Sequence, residues 1–197
     1  MRFLPLFALL ALSLGACYSS NDVEQGDDGA LVLGGVEQTE TVERGVVPGA
    51  RTLVLDGFSG TITLSGTDDA QAMLRFVKKG RGGDNDAARK ALGTITLNES
   101  GDDAAYRYEL RTGDAAHTSV DVDGTVPEGT RLEIRLQNGN VVVRQVTAPL
   151  TIRVENGGVQ VAGAASNVNV SAQNGDLTVA LAALPAEATV EATTQNG

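Results

Sequence analysis

The dipeptide Asn-Gly recurs at 138, 156, 174 and 196, and alternating apolar residues flank each copy. Counting back six, four and two positions from the first three asparagines gives Leu132, Ile134 and Leu136, then Leu150, Ile152 and Val154, then Val168, Val170 and Ala172. Counting forward three and five gives Val141 and Val143, Val159 and Val161, Leu177 and Val179. The copies stand 18 residues apart twice and then 22, where 182–187 adds a loop. Alternation at a period of two puts all these apolar residues on one face of short strands. Glu133, Arg135, Asn140, Arg153, Gln160, Asn169 and Thr178 then lie on the other, so one face is buried and one is wet.

Asn and Gly both tolerate positive φ, so each pair can turn the backbone between the two strands of a unit. Two architectures satisfy the pattern. In a hairpin with a two-residue type I′ loop, Leu136 faces Val141 and Ile134 faces Val143. In a solenoid, each 18-residue unit is one coil, and equivalent positions stack to bury a core that no single unit could bury alone. The constant register favours the solenoid, because a meander does not need an identical repeat length. A longer echo agrees: Val126-Pro127-Glu128 through Asn138-Gly139 recurs 58 positions later as Leu184-Pro185-Ala186 through Asn196-Gly197. The expected fold is all-β, a right-handed β-solenoid of the single-stranded β-helix kind with Asn-Gly turns and one short helical insertion. An antiparallel β-meander or sandwich is the alternative. Because the sequence stops on an Asn-Gly turn, a further coil or cap beyond Gly197 is expected.

Residues 1–16 have the form of a targeting segment, with Arg2 as its charged start, an apolar run over 3–14 and small residues before the single cysteine. The run is too short for a transmembrane span. Leu14-Gly15-Ala16-Cys17 resembles the bacterial lipobox, which implies lipidation of Cys17 as the first residue of the mature chain. A sole cysteine forms no internal disulfide, and acyl chains there would hold the protein on a membrane without spanning it. Tyr18 rather than aspartate after the cysteine points to the outer membrane where a cell has two. An ordinary secretory signal, and hence a secreted protein, is the alternative. Residues 17–35 are polar and Gly-rich and read as a flexible tether, leaving 36–197 as one β domain. Short strand signals recur at 36–42, 51–55, 61–64, 72–77, 94–97, 105–110 and 118–122, with turn residues at Asp56-Gly57, Ser65-Gly66 and Ser100-Gly101. Asp84 or Asp86 can cap a short helix over 86–92, followed by Gly93. The net charge of −10, which becomes −11 if Arg2 leaves with a signal, disfavours nucleic acid and anionic lipid heads as partners.

The paired strands around Asn-Gly, preceded by Ser119-Val120-Asp121-Val122 and Val126-Pro127-Glu128-Gly129, resemble the DUF4097 family of bacterial envelope proteins, which is related to adhesin-like head domains. The run Leu55-Asp56-Gly57-Phe58-Ser59-Gly60-Thr61-Ile62 looks like that family's first strand-turn-strand, and 87–92 like its helical insertion. The resemblance covers most of 36–197. It implies a β-solenoid-like, adhesin-like protein and transfers no catalytic signature.

The residues offer little for catalysis. Gly57-Phe58-Ser59-Gly60 is followed by Thr61 where a nucleophile elbow has glycine, and His117 is the single histidine, read as a surface residue. Too few nitrogen and sulfur ligands are present for zinc. Asp68-Asp69, Asp84-Asn85-Asp86 and Asp102-Asp103 follow no calcium-loop pattern and read as turn residues or a helix cap, so no metal site and no cofactor are expected. Tyr106 and Tyr108 share a strand face and either pack against neighbours or offer a small sugar platform. Lys78, Lys79 and Arg81 read as a solvated loop. The candidate partner-binding face is the outward one carrying Glu133, Arg135, Arg153 and Glu155, although charges on a wet β-face also serve solubility and oppose edge pairing. The expected function is therefore a lipid-anchored, non-enzymatic envelope protein that binds or scaffolds a protein or glycan. A polysaccharide-binding or polysaccharide-active module using the same face is one alternative, and an envelope-stress sensor or scaffold another.

Overall fold

A computed structural model describes residues 23–25, 31–33, 35–46, 51–69, 72–102 and 104–197. Cys17 and the leader lie outside the described residues. Within the expected tether, β1 (Val23–Gln25) and β2 (Leu31–Leu33) pair antiparallel as a separate two-stranded sheet. The remaining strands are β3 (Val36–Gly45), β4 (Thr52–Thr67), β5 (Met73–Gly82), β6 (Thr96–Gly101), β7 (Tyr106–Arg111), β8 (Thr118–Pro127), β9 (Arg131–Arg144), β10 (Leu150–Asn156), β11 (Val159–Ala164), β12 (Val168–Asn174), β13 (Leu177–Leu181) and β14 (Val190–Asn196). They form one 12-stranded sheet, with a single helix, α1 (Asn85–Leu92), among the described residues.

The sheet folds over on itself because β4 and β9 each run through a corner and pair with different strands on either side of it. Before the corner, the order is β6, β7, β4, β9, β10, β12, β14; after it, β3, β5, β8, β4, β9, β11, β13. From β7 and β8 onward all of these pairings are parallel. Parallel stacking at the repeat length is the solenoid and excludes the antiparallel meander. The alternating apolar residues of both layers meet in one buried cluster, from Leu132, Ile134 and Val141 through Ile152, Val161 and Val170.

The Asn-Gly corners are not hairpin turns. A type I′ loop needs positive φ at both central residues, but only the glycines have it: Gly139 at 134°, Gly157 at 139° and Gly175 at 143°. The asparagines keep negative φ and use their side chains instead. Asn156 Nδ2 donates to Asn138 Oδ1 (3.1 Å), Asn174 Nδ2 to Asn156 Oδ1 (2.8 Å) and Asn196 Nδ2 to Asn174 Oδ1 (2.9 Å), an amide ladder along the stack. Beside it, a Cβ on Gly157 would run into the carbonyl oxygen of Gly139, and one on Gly175 into that of Gly157. The corner therefore demands glycine for space as well as for backbone conformation.

The stacking order is not the chain order. β4 lies between β8 and β9, so the earliest coil in sequence is inserted beneath the regular array rather than placed at its start. Its corner is Ser59-Gly60, in register with Asn138-Gly139, with Gly60 at φ 135°. The expected turns at Asp56-Gly57 and Ser65-Gly66 lie inside β4 instead. Gly101, at φ 124°, does close the β6–β7 hairpin. The Pro127 and Pro185 echo also has a local meaning: each proline carbonyl accepts from the amide three residues on, Thr130 or Ala188, before the next strand begins.

The far side of the stack is antiparallel. β5 pairs with β8 and β3 with β5, while α1 packs over β5 and β3. Gly80 and Gly82 permit that approach, since a Cβ there would strike the helix backbone. Asp84 caps the helix, its Oδ1 accepting from Ala87 N at 2.7 Å. No helix among the described residues is long and apolar enough to cross a membrane.

Candidate functional site

Because the coils stack in register, outward residues line up in rows across the strands. One row runs Asp56, Arg135, Arg153, Ser171, Thr193. The next carries Gln137, Glu155, Gln173 and Gln195, each immediately before an asparagine of the ladder. Together these rows line a groove of about 440 Å³ across the coils. The structure thus brings Arg135, Arg153 and Glu155 together and leaves Glu133 out. Glu133 sits a row away, in register with Val54 and Thr151.

The groove's two carboxylates, Asp56 and Glu155, are not bonded to its two arginines. Asp56 turns toward β7, where Arg107 Nη1 donates to its Oδ2 at 3.2 Å and Arg111 Nη1 to its Oδ1 at 3.5 Å. Arg111 also bonds Glu109 at 2.6 Å. Among the described residues, the side chains of Arg135, Arg153, Glu155 and Glu133 make no hydrogen bond or ion pair. Arg135 and Arg153 are direct cross-strand neighbours. Adjacent strands lie about 4.8 Å apart, and like charges directly opposite one another are destabilising. In a water-like dielectric, two unit charges at that separation repel by about 1 kcal/mol. The arrangement is a pair of planar donor forks, fixed on rigid strands, with no acceptor bonded to them among the described residues.

The other candidate residues are occupied structurally. Tyr108 is buried in contact with Phe76 (ring centroids 5.3 Å apart) and Tyr106 (5.2 Å), and its hydroxyl donates to the Gly45 carbonyl at 3.1 Å, so it is a core residue and not a sugar platform. Burial, with Glu99 adding to it, pushes the Tyr108 phenol well above its ordinary range, and burial raises that of Tyr106 as well. Lys78, Lys79 and Arg81 are not a loop but part of β5, where each pairs across strands, with Glu40, Asp121 and Glu37 respectively. His117 lies on an exposed turn with Nδ1 2.9 Å from Asp114 Oδ1. Asp102 Oδ1 accepts from the Ala104 and Ala105 amides and holds the β6–β7 turn.

The sequence pattern missed Asp56 because β4 reaches the groove only through the non-sequential stacking. The glutamines were within reach: Gln-Asn-Gly recurs at 137–139, 173–175 and 195–197, so the repeat itself marks a second outward column.

No curated protein matches the chain. Among solved structures it is similar to a candidate cell adhesion protein from Clostridium sporogenes, at 10% identity over 80% of this chain and 100% of the other, with a TM-score of 0.38. It is also similar to a candidate adhesin from Parabacteroides merdae, at 8% identity over 79% of this chain and 77% of the other, with a TM-score of 0.34. The profile of Toastrack DUF4097 matches residues 48–197, a span that takes in both layers of the stack, its corners and the groove, and the chain belongs to that family.

Proposed function

We propose that this protein is a non-enzymatic binding module of the bacterial envelope, held to a membrane by lipid on Cys17 and engaging its partner through the groove of Asp56, Arg135, Arg153 and Glu155. The observation that carries the reading is the unpartnered Arg135–Arg153 pair on the floor of that groove. Strands packed against a common core hold such groups in place better than loops do. The lipobox-like Leu14-Gly15-Ala16-Cys17 supports the anchor, and Tyr18 supports the outer membrane in a cell that has one.

Two experiments test the two parts. Intact mass and membrane fractionation of the wild type beside Cys17→Ser, in a host that processes lipoproteins, should show a diacylglyceryl or triacyl mass and sedimentation for the wild type alone; equal masses and equal solubility would end the anchor reading. For the face, binding of the purified chain to isolated cell envelopes should fall at least tenfold in Ser171→Trp, which fills the groove, and stay within twofold in Thr178→Trp, on the exposed face of β13. Equal binding by both variants would sink the groove as the partner surface.

A further inference from the structure

The ligand class follows from the groove's chemistry, on the reading that this groove is the binding face. We infer that it takes an acidic glycan, a carbohydrate whose sugars bear carboxylate groups. Arg135 and Arg153 present adjacent guanidinium forks, the geometry that a planar carboxylate accepts in bidentate fashion. Of the groove's two carboxylates, Asp56 is held by Arg107 and Arg111, and Glu155 bonds neither arginine. Among the described residues every arginine and lysine paired in an ion bridge lies upstream of this array, and of the array's unbridged arginines, Arg131, Arg135, Arg144 and Arg153, only Arg135 and Arg153 line the groove, as adjacent positive charges in a chain of net charge −10. Beyond them, Ser171, Gln173, Thr193 and Gln195 extend the groove with neutral donors and acceptors suited to sugar hydroxyls. From β4 to β14 the stack spans about 19 Å at the usual strand spacing, enough for an oligomer rather than a single ion.

Glu155 and the acidic surface decide between anions. A doubly charged phosphate concentrates its charge beside Glu155, whereas a glycan carrying its carboxylates singly, one to a sugar, can set one between the arginines while Glu155 accepts from a hydroxyl.

The test uses the purified full chain in neutral detergent and a fluorescently labelled tetramer of galacturonic acid, followed by anisotropy, beside the fully methyl-esterified tetramer. The acid form should bind at least tenfold more tightly than the ester. The double variant R135Q/R153Q should lose at least tenfold for the acid form, while Arg144→Gln, outside the groove, should stay within twofold. The arginines are surface residues, so a matching thermal melt for wild type and double variant keeps the comparison interpretable. Equal binding of acid and ester, retention by R135Q/R153Q, an equal loss in Arg144→Gln, or no binding by the wild type each overturns the inference. Displacement of the tetramer by inorganic phosphate at equal anion concentration would overturn the carboxylate assignment. If the tetramer fails while Ser171→Trp still abolishes envelope binding, the ligand class falls and the binding face stands; if Ser171→Trp has no effect, both fall.

Discussion

The stretch from β9 to β14 and the stretch from β3 to β8 solve the same problem, how to bury one face of a sheet, in opposite ways. In the first, each side chain meets its own kind one coil away: Leu132 against Leu150 against Val168, Ile134 against Ile152 against Val170, asparagine on asparagine, glycine on glycine. In the second, the core takes the large rings of Phe76 and Tyr108, β3, β5 and β8 pair antiparallel, a helix packs over β5 and β3, and cations pair with carboxylates across strands. Repetition supplies alignment but no ending, for each coil presents the next with a copy of its own open edge. Among the described residues, β14 is exposed along its whole length and Val190 is 42% exposed. The irregular part supplies the ending, and uses up its charges in doing so. The arginines of the array stay available because Asp56 of β4, across from Arg135, is already held by Arg107 and Arg111, and the residue beyond Arg153 is the uncharged Ser171.

The largest effects should come where the array has no tolerance. Gly157→Val places a branched side chain on a residue at φ 139° and drives its Cβ into the Gly139 carbonyl. Strain and overlap together should cost about 5 kcal/mol, at the exceptional end for one substitution. If the array is held mainly by nearest-neighbour contacts, amide exchange should speed up from Leu150 to Asn196 and leave β5 and β8 protected. Uniform loss of protection would show instead that the two regions unfold as one. Phe76→Ala, with Phe76 wholly buried against Tyr108, should cost about 4 kcal/mol and have the reverse signature, loosening both regions because the cap is what closes the stack. Urea unfolding followed by circular dichroism reads both magnitudes.

These two positions also show what could be read from the sequence. The array was legible because its period is visible in residue types: the apolar columns, the 18-residue spacing and the outward placement of Arg135, Arg153 and Glu155 all follow from counting. The asparagine ladder was not, since one Asn-Gly looks the same whether asparagine turns the backbone or bonds to its copy in the next coil. Only stacking separates the two. Asp56 and the β4 insertion were hidden for a related reason. Alternation says which face a residue takes but not which strand lies beside it, and β4 reaches β9 across the whole of β5 to β8. The partners of Lys78, Lys79 and Arg81 were equally invisible, being fixed by antiparallel neighbours that no repeat announces.

A smaller effect measures the ladder itself. Asn156→Ala removes two amide bonds, one to Asn138 and one from Asn174, and at about 1 kcal/mol each should cost about 2 kcal/mol. Asn196→Ala removes a single bond, to Asn174, and should cost about half as much. The ratio matters more than either value: equal losses at both sites would mean that the amides are satisfied by water and that the corner is held by its glycines alone.

Tyr108→Phe probes the irregular region with the smallest change. It removes only the hydroxyl that donates to the Gly45 carbonyl, so near neutral pH it should cost about 1 kcal/mol. Its sharper consequence lies in alkali. The folded state holds the Tyr108 proton more tightly than the unfolded chain, whose tyrosines ionise near pH 10. Below that pH both states carry the proton and stability does not depend on it. Above it the unfolded chain releases the proton while the folded one keeps it, so wild-type stability falls with rising pH by up to about 1.4 kcal/mol per unit from this group. In Tyr108→Phe that contribution is gone, and the smaller slope that remains belongs to Tyr106, which burial also raises. The two stability curves, separate at pH 8, should therefore close on each other above pH 10. Parallel curves through pH 11 would show that the phenol ionises without unfolding the cap, and that the irregular region is as open to solvent at its centre as the array is at its edge.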